Sequence, residues 1–355
     1  MRFPEFTGEW NFEPLDTIAP NITSGKSKPA VGQYDLYGST GIIGKTSTAD
    51  YSGDMLLVAR VGANAGTLQL VNGICGITDN TLIIKPRKLS SRYLHFYLQH
   101  YNLNRLIFGS GQPLITAGML KKVHIPFGKP LEQYKIEILL NLIDERIAAQ
   151  NKIIEKLETL IKGIVDLSYD NSATTKKLGN VIAQISQRNK SGKEMVVLSV
   201  NNKQGFIEQS EQFEERIIAS DDTSNYKMVC INDFAYNPAR INVGSIARLK
   251  DKECGIVSPM YICFRTLGNM LPEYLELFFK TKRFALDVDK RLEGSVRLCL
   301  SYEGLCEIAI PIIAIEKQKT LVEKIASLYS KLDIEKKFLR NYKMQKQYLL
   351  SQMFI

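Results

Sequence analysis

One feature limits what this chain can fold into more than any other: it repeats itself. Residues 109–126 read GSGQPLITAGMLKKVHIP and residues 294–311 read GSVRLCLSYEGLCEIAIP. At a constant offset of 185, Gly109 falls on Gly294, Ser110 on Ser295, Leu120 on Leu305 and Pro126 on Pro311. The apolar positions Val123 and Ile125 fall on Ile308 and Ile310. Upstream the offset drifts, as insertions require, but order is kept: Tyr93-Leu94 with Tyr274-Leu275, Gly76-Ile77 with Gly255-Ile256, Asp54 with Asp233, and Leu15 and Ile18 with Leu178 and Val181. A repeat that keeps its order over this length is a duplicated domain whose interior has diverged.

Each copy ends in a long amphipathic stretch. After Pro126 the residues Ile136, Leu139, Leu140, Ile143, Ile147, Ile154, Leu157, Ile161 and Ile164 recur at spacings of three, four and seven. After Pro311 the pattern returns as Leu321, Ile325, Leu328, Leu332, Leu339, Tyr342 and Leu349. Such spacing puts one apolar stripe on a helix, with charged residues on the other faces. A stripe of about 30 residues makes a helix of roughly 45 Å. A long helix with a narrow apolar seam needs a partner, and two seams of matching length and period can serve each other. If the copies are related by a pseudo-twofold axis, the pair runs antiparallel; the plainer alternative is that each stripe packs only on its own domain.

Between the helices lie short runs rich in β-branched residues (LLVARVG, TLIIKP, VVLSV, MYICFR), bounded by Gly, Asn or Asp, which predict strands. Short helices are predicted at SSRYLHFYLQHY and LPEYLELFFKT, and SYDNSATTKK reads as a polar linker. The expected fold is α+β: two tandem, pseudo-symmetric, mixed α/β domains separated by two long helices packed as an antiparallel coiled coil.

Catalysis is not visible. SerThrGlyIleIleGlyLysThr at 39–46 nearly matches the phosphate-cradling loop GxxxxGK[ST], but Ser39 stands where glycine is required and turn residues follow instead of a helix. AsnProAlaArg at 237–240 is half of an adenine methyltransferase tetrapeptide, with no glycine-rich cofactor loop before it. AspValAspLys at 287–290 lacks the partner carboxylates that a magnesium nuclease needs. The three histidines, His95, His100 and His124, are scattered and read as surface or packing residues. The six cysteines form no CxxC pair, so the expectation is buried, reduced thiols and no metal site. The N-terminal MRFPEFTGEW lacks the pattern of a signal peptide, and no apolar run reaches the roughly 20 residues that span a bilayer. The expected location is the cytoplasm.

What remains are loops rich in groups that contact nucleic acid. In the first copy these are Ser39, Thr40, Lys45, Arg60, Asn64, Ser110, Gly111 and Gln112. The second offers Gln187, Arg188, Asn189, Lys190, Asn237, Arg240, Asn242, Ser295 and Arg297. Arginine suits guanine, Asn and Gln suit adenine, and hydroxyls and backbone amides suit phosphate. Singly, each reads better as an ordinary turn-capping residue; only their recurrence at matching places in both copies points to DNA. The net charge is +9, spread as +4 over 1–127, −1 over 128–168, +1 over 169–310 and +5 over 311–355. That modest excess predicts modest DNA affinity, with partner subunits supplying much of the phosphate neutralisation.

This arrangement resembles the specificity subunit of type I restriction–modification enzymes. The resemblance rests on the turn GSGQPLIT at 109–116 and on the helix starts IPFGKPLEQYKI (125–136) and IPIIAIEKQKTL (310–321). YGSTGIIGK (37–45) followed by LLVARVGANAG (56–66) adds to it. Lys317-Gln318 stands where the family usually has Glu-Gln, a change expected to matter little on a helix surface. The resemblance implies target-recognition domains at 1–126 and 169–310, with spacer helices at 127–168 and 311–355. Each domain would read one half of a gapped target in double-stranded DNA. Ile136, Leu140, Ile143, Ile147, Ile154 and Leu157 would face Leu321, Ile325, Leu328, Leu332, Leu339 and Tyr342 in the coiled coil. Two methyltransferase subunits would bring S-adenosylmethionine and methylate adenine N6. Restriction subunits, when present, would add ATP- and Mg-dependent cutting, and this chain would bind no cofactor and no membrane. The competing expectations are a duplicated protein–protein scaffold and a phosphate-loop nucleotide hydrolase using Lys45 and Thr46.

Overall fold

The computed structural model describes residues 2–107, 112–170, 174–190, 195–209, 223–295 and 297–354. The chain forms two compact units, Met1–Lys152 with Lys336–Ile355, and Ile153–Glu335.

The first unit begins with β1 (Asn11–Pro14) and α1 (Leu15–Ile18), followed by β2 (Thr23–Ser24), β3 (Tyr34–Gly38), β4 (Gly41–Thr46), β5 (Tyr51–Ala59), β6 (Leu68–Ile77) and β7 (Thr81–Ile84). Strands β2 to β7 make a sheet in the order β2-β7-β5-β6-β3-β4, in which β3 and β6 are parallel and the other pairs antiparallel. Alternation along β5 explains its central place. Leu56 and Val58 enter one core, while Met55 and Leu57 enter another on the opposite face. Helix α2 (Ser91–Tyr101) is capped by Ser90, which accepts from Tyr93 N, and ends on Asn102 in the left-handed region. A short α3 (Ala117–Lys121), capped by Thr116, leads into β8 (His124–Phe127), which pairs antiparallel with β1.

The second unit repeats this plan. After β9 (Thr175–Lys177) and β10 (Ile182–Ile185) come β11 (Val197–Asn201), β12 (Gly205–Glu208), β13 (Lys227–Cys230), β14 (Phe234–Tyr236), β15 (Ile246–Arg248), β16 (Cys254–Val257) and β17 (Ile262–Thr266). They form two sheets, β10-β17-β14-β15 and β12-β11-β16-β13. Next come α5 (Pro272–Phe278), α6 (Lys282–Asp289), α7 (Tyr302–Cys306) capped by Ser301, and β18 (Ala309–Pro311) paired with β9. Between β8 and β9 lies α4 (Pro130–Asp170), and after β18 lies α8 (Ile315–Met353).

The duplication holds bond by bond. Leu15 N donates to Val123 O at 2.7 Å, and Leu178 N to Ile308 O at 2.8 Å. Tyr93 and Tyr274 donate their hydroxyls to Pro126 O and Pro311 O at 2.9 and 3.1 Å. Phe354 packs on Tyr93 and Tyr97 in the first unit, where Tyr169 packs on Tyr274 and Phe278 in the second.

The long helices have 41 and 39 residues, about 60 Å each. The seam of α4 is buried at Ile136, Leu140, Ile143, Gln150, Ile154 and Leu157 and half-buried at Ile147. That of α8 is buried at Ile325 and Leu332 and half-buried at Leu321, Leu328, Leu339 and Tyr342. In the first unit Asp144 pairs with Lys346 at 2.6 Å and Arg146 lies over the Tyr342 ring. Rising numbers on one helix therefore meet falling numbers on the other, so the pair is antiparallel there. The fold is mixed helix and strand, two domains with a helical linker.

Three expectations are corrected. SYDNSATTKK is not simply a polar linker: α4 continues to Asp170, Tyr169 is buried, and Thr175–Lys177 is strand β9. The cysteines are not all free thiols. Cys230 and Cys254 are direct cross-strand partners on β13 and β16 and form a disulfide, while Cys75, Cys263, Cys299 and Cys306 are free. Strand register is non-local, so their spacing of 24 residues gave no hint of it. The helix-start Gln is not surface either. Gln133 is buried and donates to Gly128 O at 2.9 Å, and Gln318 donates to Asn269 O and Ile313 O and accepts from Leu271 N, each at 3.0 Å. Lys317 beside it is exposed as expected.

Candidate nucleic-acid interface

In the first unit the loop before α3 is laid on the end of β5. Ile115 N donates to Arg60 O at 2.8 Å, Gly62 N donates to Pro113 O at 3.0 Å, and Val61 bridges to Leu114. Asn80 joins from the β6–β7 turn: its carbonyl accepts from Arg60 N at 3.0 Å and from the Ser39 hydroxyl at 3.3 Å. Ser39 and Thr40 form the β3–β4 turn, and Asn64 sits on the 3-10 turn Gly62–Asn64. Arg60 and Ser39 thus meet at Asn80, with Thr40 next to Ser39, Asn64 on the turn that follows Arg60, and Gln112 next to Pro113. Thr40, Asn64, Gln112 and Asn80 are exposed, as is the neighbouring Asp79.

Among the described residues two buried polar atoms near this strand end, Arg60 Nε and Thr81 Oγ1, have no hydrogen-bond partner. They lie on adjoining rungs, since Ala59 is paired with Thr81. An unmet buried polar atom costs about 1–3 kcal/mol, so natural folds retain few without a use. Lys45 is not part of the cluster. It sits three rungs from the Ser39–Thr40 turn and pairs with Asp35 at 2.7 Å. Ser110 and Gly111 lie outside the described residues.

The second unit lays its matching loop on the end of β14 with the same bond, Leu300 N to Pro238 O at 3.1 Å. The Tyr236 hydroxyl also donates to Leu300 O at 3.2 Å, and Glu293 bridges to Cys299. Ser295 and Arg297 are exposed on this loop, and Arg240 and Asn242 are exposed on the segment 237–243 that follows the strand end. Asn237 is buried, and its side-chain oxygen accepts from Ala239 N at 3.1 Å, capping that turn. Gln187, Arg188 and Lys190 lie elsewhere, along β13. Met228 N donates to Gln187 O, and Arg188 donates to Asn225 Oδ1 at 3.0 Å. Asn189 between them is buried. Sequence reading missed Asn80 and Thr81, because an Asp-Asn pair between strands reads as an ordinary turn.

The groups assembled include hydroxyls, carboxamides and a guanidinium, which suit base edges and phosphates. Residues 39–46 are a hairpin and not a strand running into a helix, so their amides do not form a phosphate cradle. Among the described residues no group of His, Cys, Asp and Glu could hold a metal ion, and no helix is long and apolar enough to cross a membrane. A groove of about 560 Å³ between Asn201–Glu208 and Gly244–Lys252 is rich in charge. Its cations are largely committed: Arg248 pairs with Glu273 and Glu276, Lys250 with Glu276, and Lys252 with Glu208.

Residues 16–159 match the family model of the type I restriction modification DNA specificity domain. Over 165 residues it is 24% identical to the EcoprrI type I restriction enzyme specificity subunit of Escherichia coli, covering 46% of this chain and 37% of that protein. The matched region therefore spans well under half of that relative's length. Two solved structures share the fold over nearly the whole chain. One is the S subunit of a type I restriction–modification system from M. genitalium, with a TM-score of 0.61 and 16% identity, covering 100% of this chain and 99% of that one. The other comes from a study of complex assembly and conformational transition of the type I system, with a TM-score of 0.59 and 14% identity, covering 99% and 98%. The matched residues end within α4, and the second unit is similar to those S subunits in its fold alone.

Proposed function

We propose that this chain is the DNA-reading specificity subunit of a type I restriction–modification complex and does no chemistry itself. Each unit reads one half of a bipartite, gapped target through the loop held on its strand end. In the first unit Ser39, Thr40, Arg60, Asn64 and Gln112 serve this role, and Ser110 and Gly111 are assigned to it with them. In the second, Arg240, Asn242, Ser295 and Arg297 do so. Lys45, Gln187, Arg188, Lys190 and Asn237 stand apart from these clusters or are engaged locally, and contribute at most phosphate contacts or turn structure. The observation that carries the reading is the pair of bonds from Ile115 N to Arg60 O and from Leu300 N to Pro238 O, which sets the same loop at the same strand end twice.

The two helices act as a spacer whose length selects the gap between the half-targets. Two methyltransferase subunits dock along them, bringing S-adenosylmethionine to adenine N6. Restriction subunits, when present, bring ATP and Mg. The complex works in the cytoplasm. Exchanging residues 1–126 for a related recognition domain and mapping methylated adenines tests this: one half of the target changes and the other does not. A scaffold without DNA specificity would leave both halves unchanged, or give no defined target.

A further inference from the structure

We propose that Arg60 reads a guanine in the half-target of the first unit, and is the residue that fixes that base pair. This rests on the DNA-reading role of that unit and adds the base and the reader.

The backbone of Arg60 is fixed on both sides: its N–H donates to Asn80 O and its carbonyl accepts from Ile115 N. The side chain leaves this anchored point half-buried, with Nε shielded and unpartnered. Among the described residues the guanidinium has no ion pair, although arginines elsewhere do: Arg2 with Glu132, Arg248 with Glu273 and Glu276, Arg265 with Asp233, and Arg291 with Asp287.

A part-desolvated cation with no carboxylate calls for acceptors from outside, and a planar fork held at its base suits two acceptors side by side. In duplex DNA, guanine offers O6 and N7 in that arrangement in the major groove. A phosphate would also satisfy the charge, but it needs no anchored backbone. The residues next to Arg60 are Ser39, Asn64, Asp79 and Asn80, none of them a lysine of a phosphate track. The second unit has Pro238 at the corresponding strand end, so its half-target is read by different residues, and the two halves need not match.

The test uses the full chain assembled with its modification subunits, and maps methylated sites for wild type, Arg60→Ala, Arg60→Gln and Arg60→Lys. At one guanine position of the first half, preference over the other bases should fall by about tenfold to a hundredfold in all three variants. The second half should be untouched, and lysine should not rescue, since it cannot make the paired contact. Wild type on duplexes carrying 7-deazaguanine at that position should lose affinity to a similar degree, and Arg60→Ala should be indifferent to it. This arm needs no variant to fold. Equal weakening on all sequences, with a salt dependence shallower by about one counterion, would make Arg60 a phosphate contact and overturn the proposal. If exchanging residues 1–126 changes the first half but no Arg60 variant relaxes a base, only the Arg60 assignment fails. If the exchange changes neither half, the DNA-reading role itself fails.

Discussion

The Tyr93 hydroxyl donates to the Pro126 carbonyl at 2.9 Å, in a fully buried contact that ties α2 to β8 just before the long helix begins. Tyr274 makes the matching bond to Pro311. Tyr93→Phe and Tyr274→Phe each keep the ring but leave a carbonyl buried without a donor. Each should destabilise its own unit by about 1–2 kcal/mol. Because the two sites share no partners, the double variant should lose the sum. Urea unfolding of the single and double variants would show this, and a double loss no larger than one single loss would argue against two separate cores.

The two helix-start glutamines should differ in weight. Gln133 makes one bond to the backbone and Gln318 makes three. Gln318→Ala should cost about 2–3 kcal/mol and Gln133→Ala about 1 kcal/mol. Equal unfolding midpoints for the two variants would contradict this.

Acid should weaken the first unit through His95. Burial lowers its pKa from 6.5 to about 4, and the positive charge of Lys346 adds to that. The unfolded chain therefore takes up a proton that the folded chain refuses. The resulting stability is complete at neutral pH and is lost as pH falls from about 6.5 towards 4. The loss should reach about 2 kcal/mol at pH 5. His95→Gln should flatten the dependence in that window, as read by denaturant midpoints at pH 7 and pH 5.

The spacer role can be tested by length. Four residues inserted after Lys152 in α4, with four after Glu335 in α8, add about 6 Å to each helix. That is close to two base-pair steps of a duplex whose turn is about 34 Å. Methylome sequencing should show the gap lengthened by about two base pairs with both halves intact. An unchanged gap would remove the helices from target selection.

The duplication and the helical seams were legible in the sequence because both are local or periodic. Ile136, Leu140, Ile154 and Leu157 announce a helix face by spacing alone, and the 185-residue offset is plain once sought. The turn 39–40 could be placed because glycines punctuate the hairpin. What the sequence hid was register. Nothing local says that Asn80 meets Arg60 and Ser39, or that Cys230 lies opposite Cys254, since both depend on which strands become neighbours. Tyr169 was lost in the polar average of its segment, although one buried ring there anchors the end of α4 against Tyr274. Gln318 reads as helix surface because its three partners lie in loops that only folding brings together.

Phe354 stands against Tyr93 and Tyr97, and Leu350 and Met353 complete the same core. Residues 1–152 are thus completed by a segment that is synthesised only after residues 153–335. During synthesis the early half must wait, its aromatic pocket uncovered, while the later half can close around Tyr169 as soon as it emerges. The order of birth and the order of completion run in opposite directions.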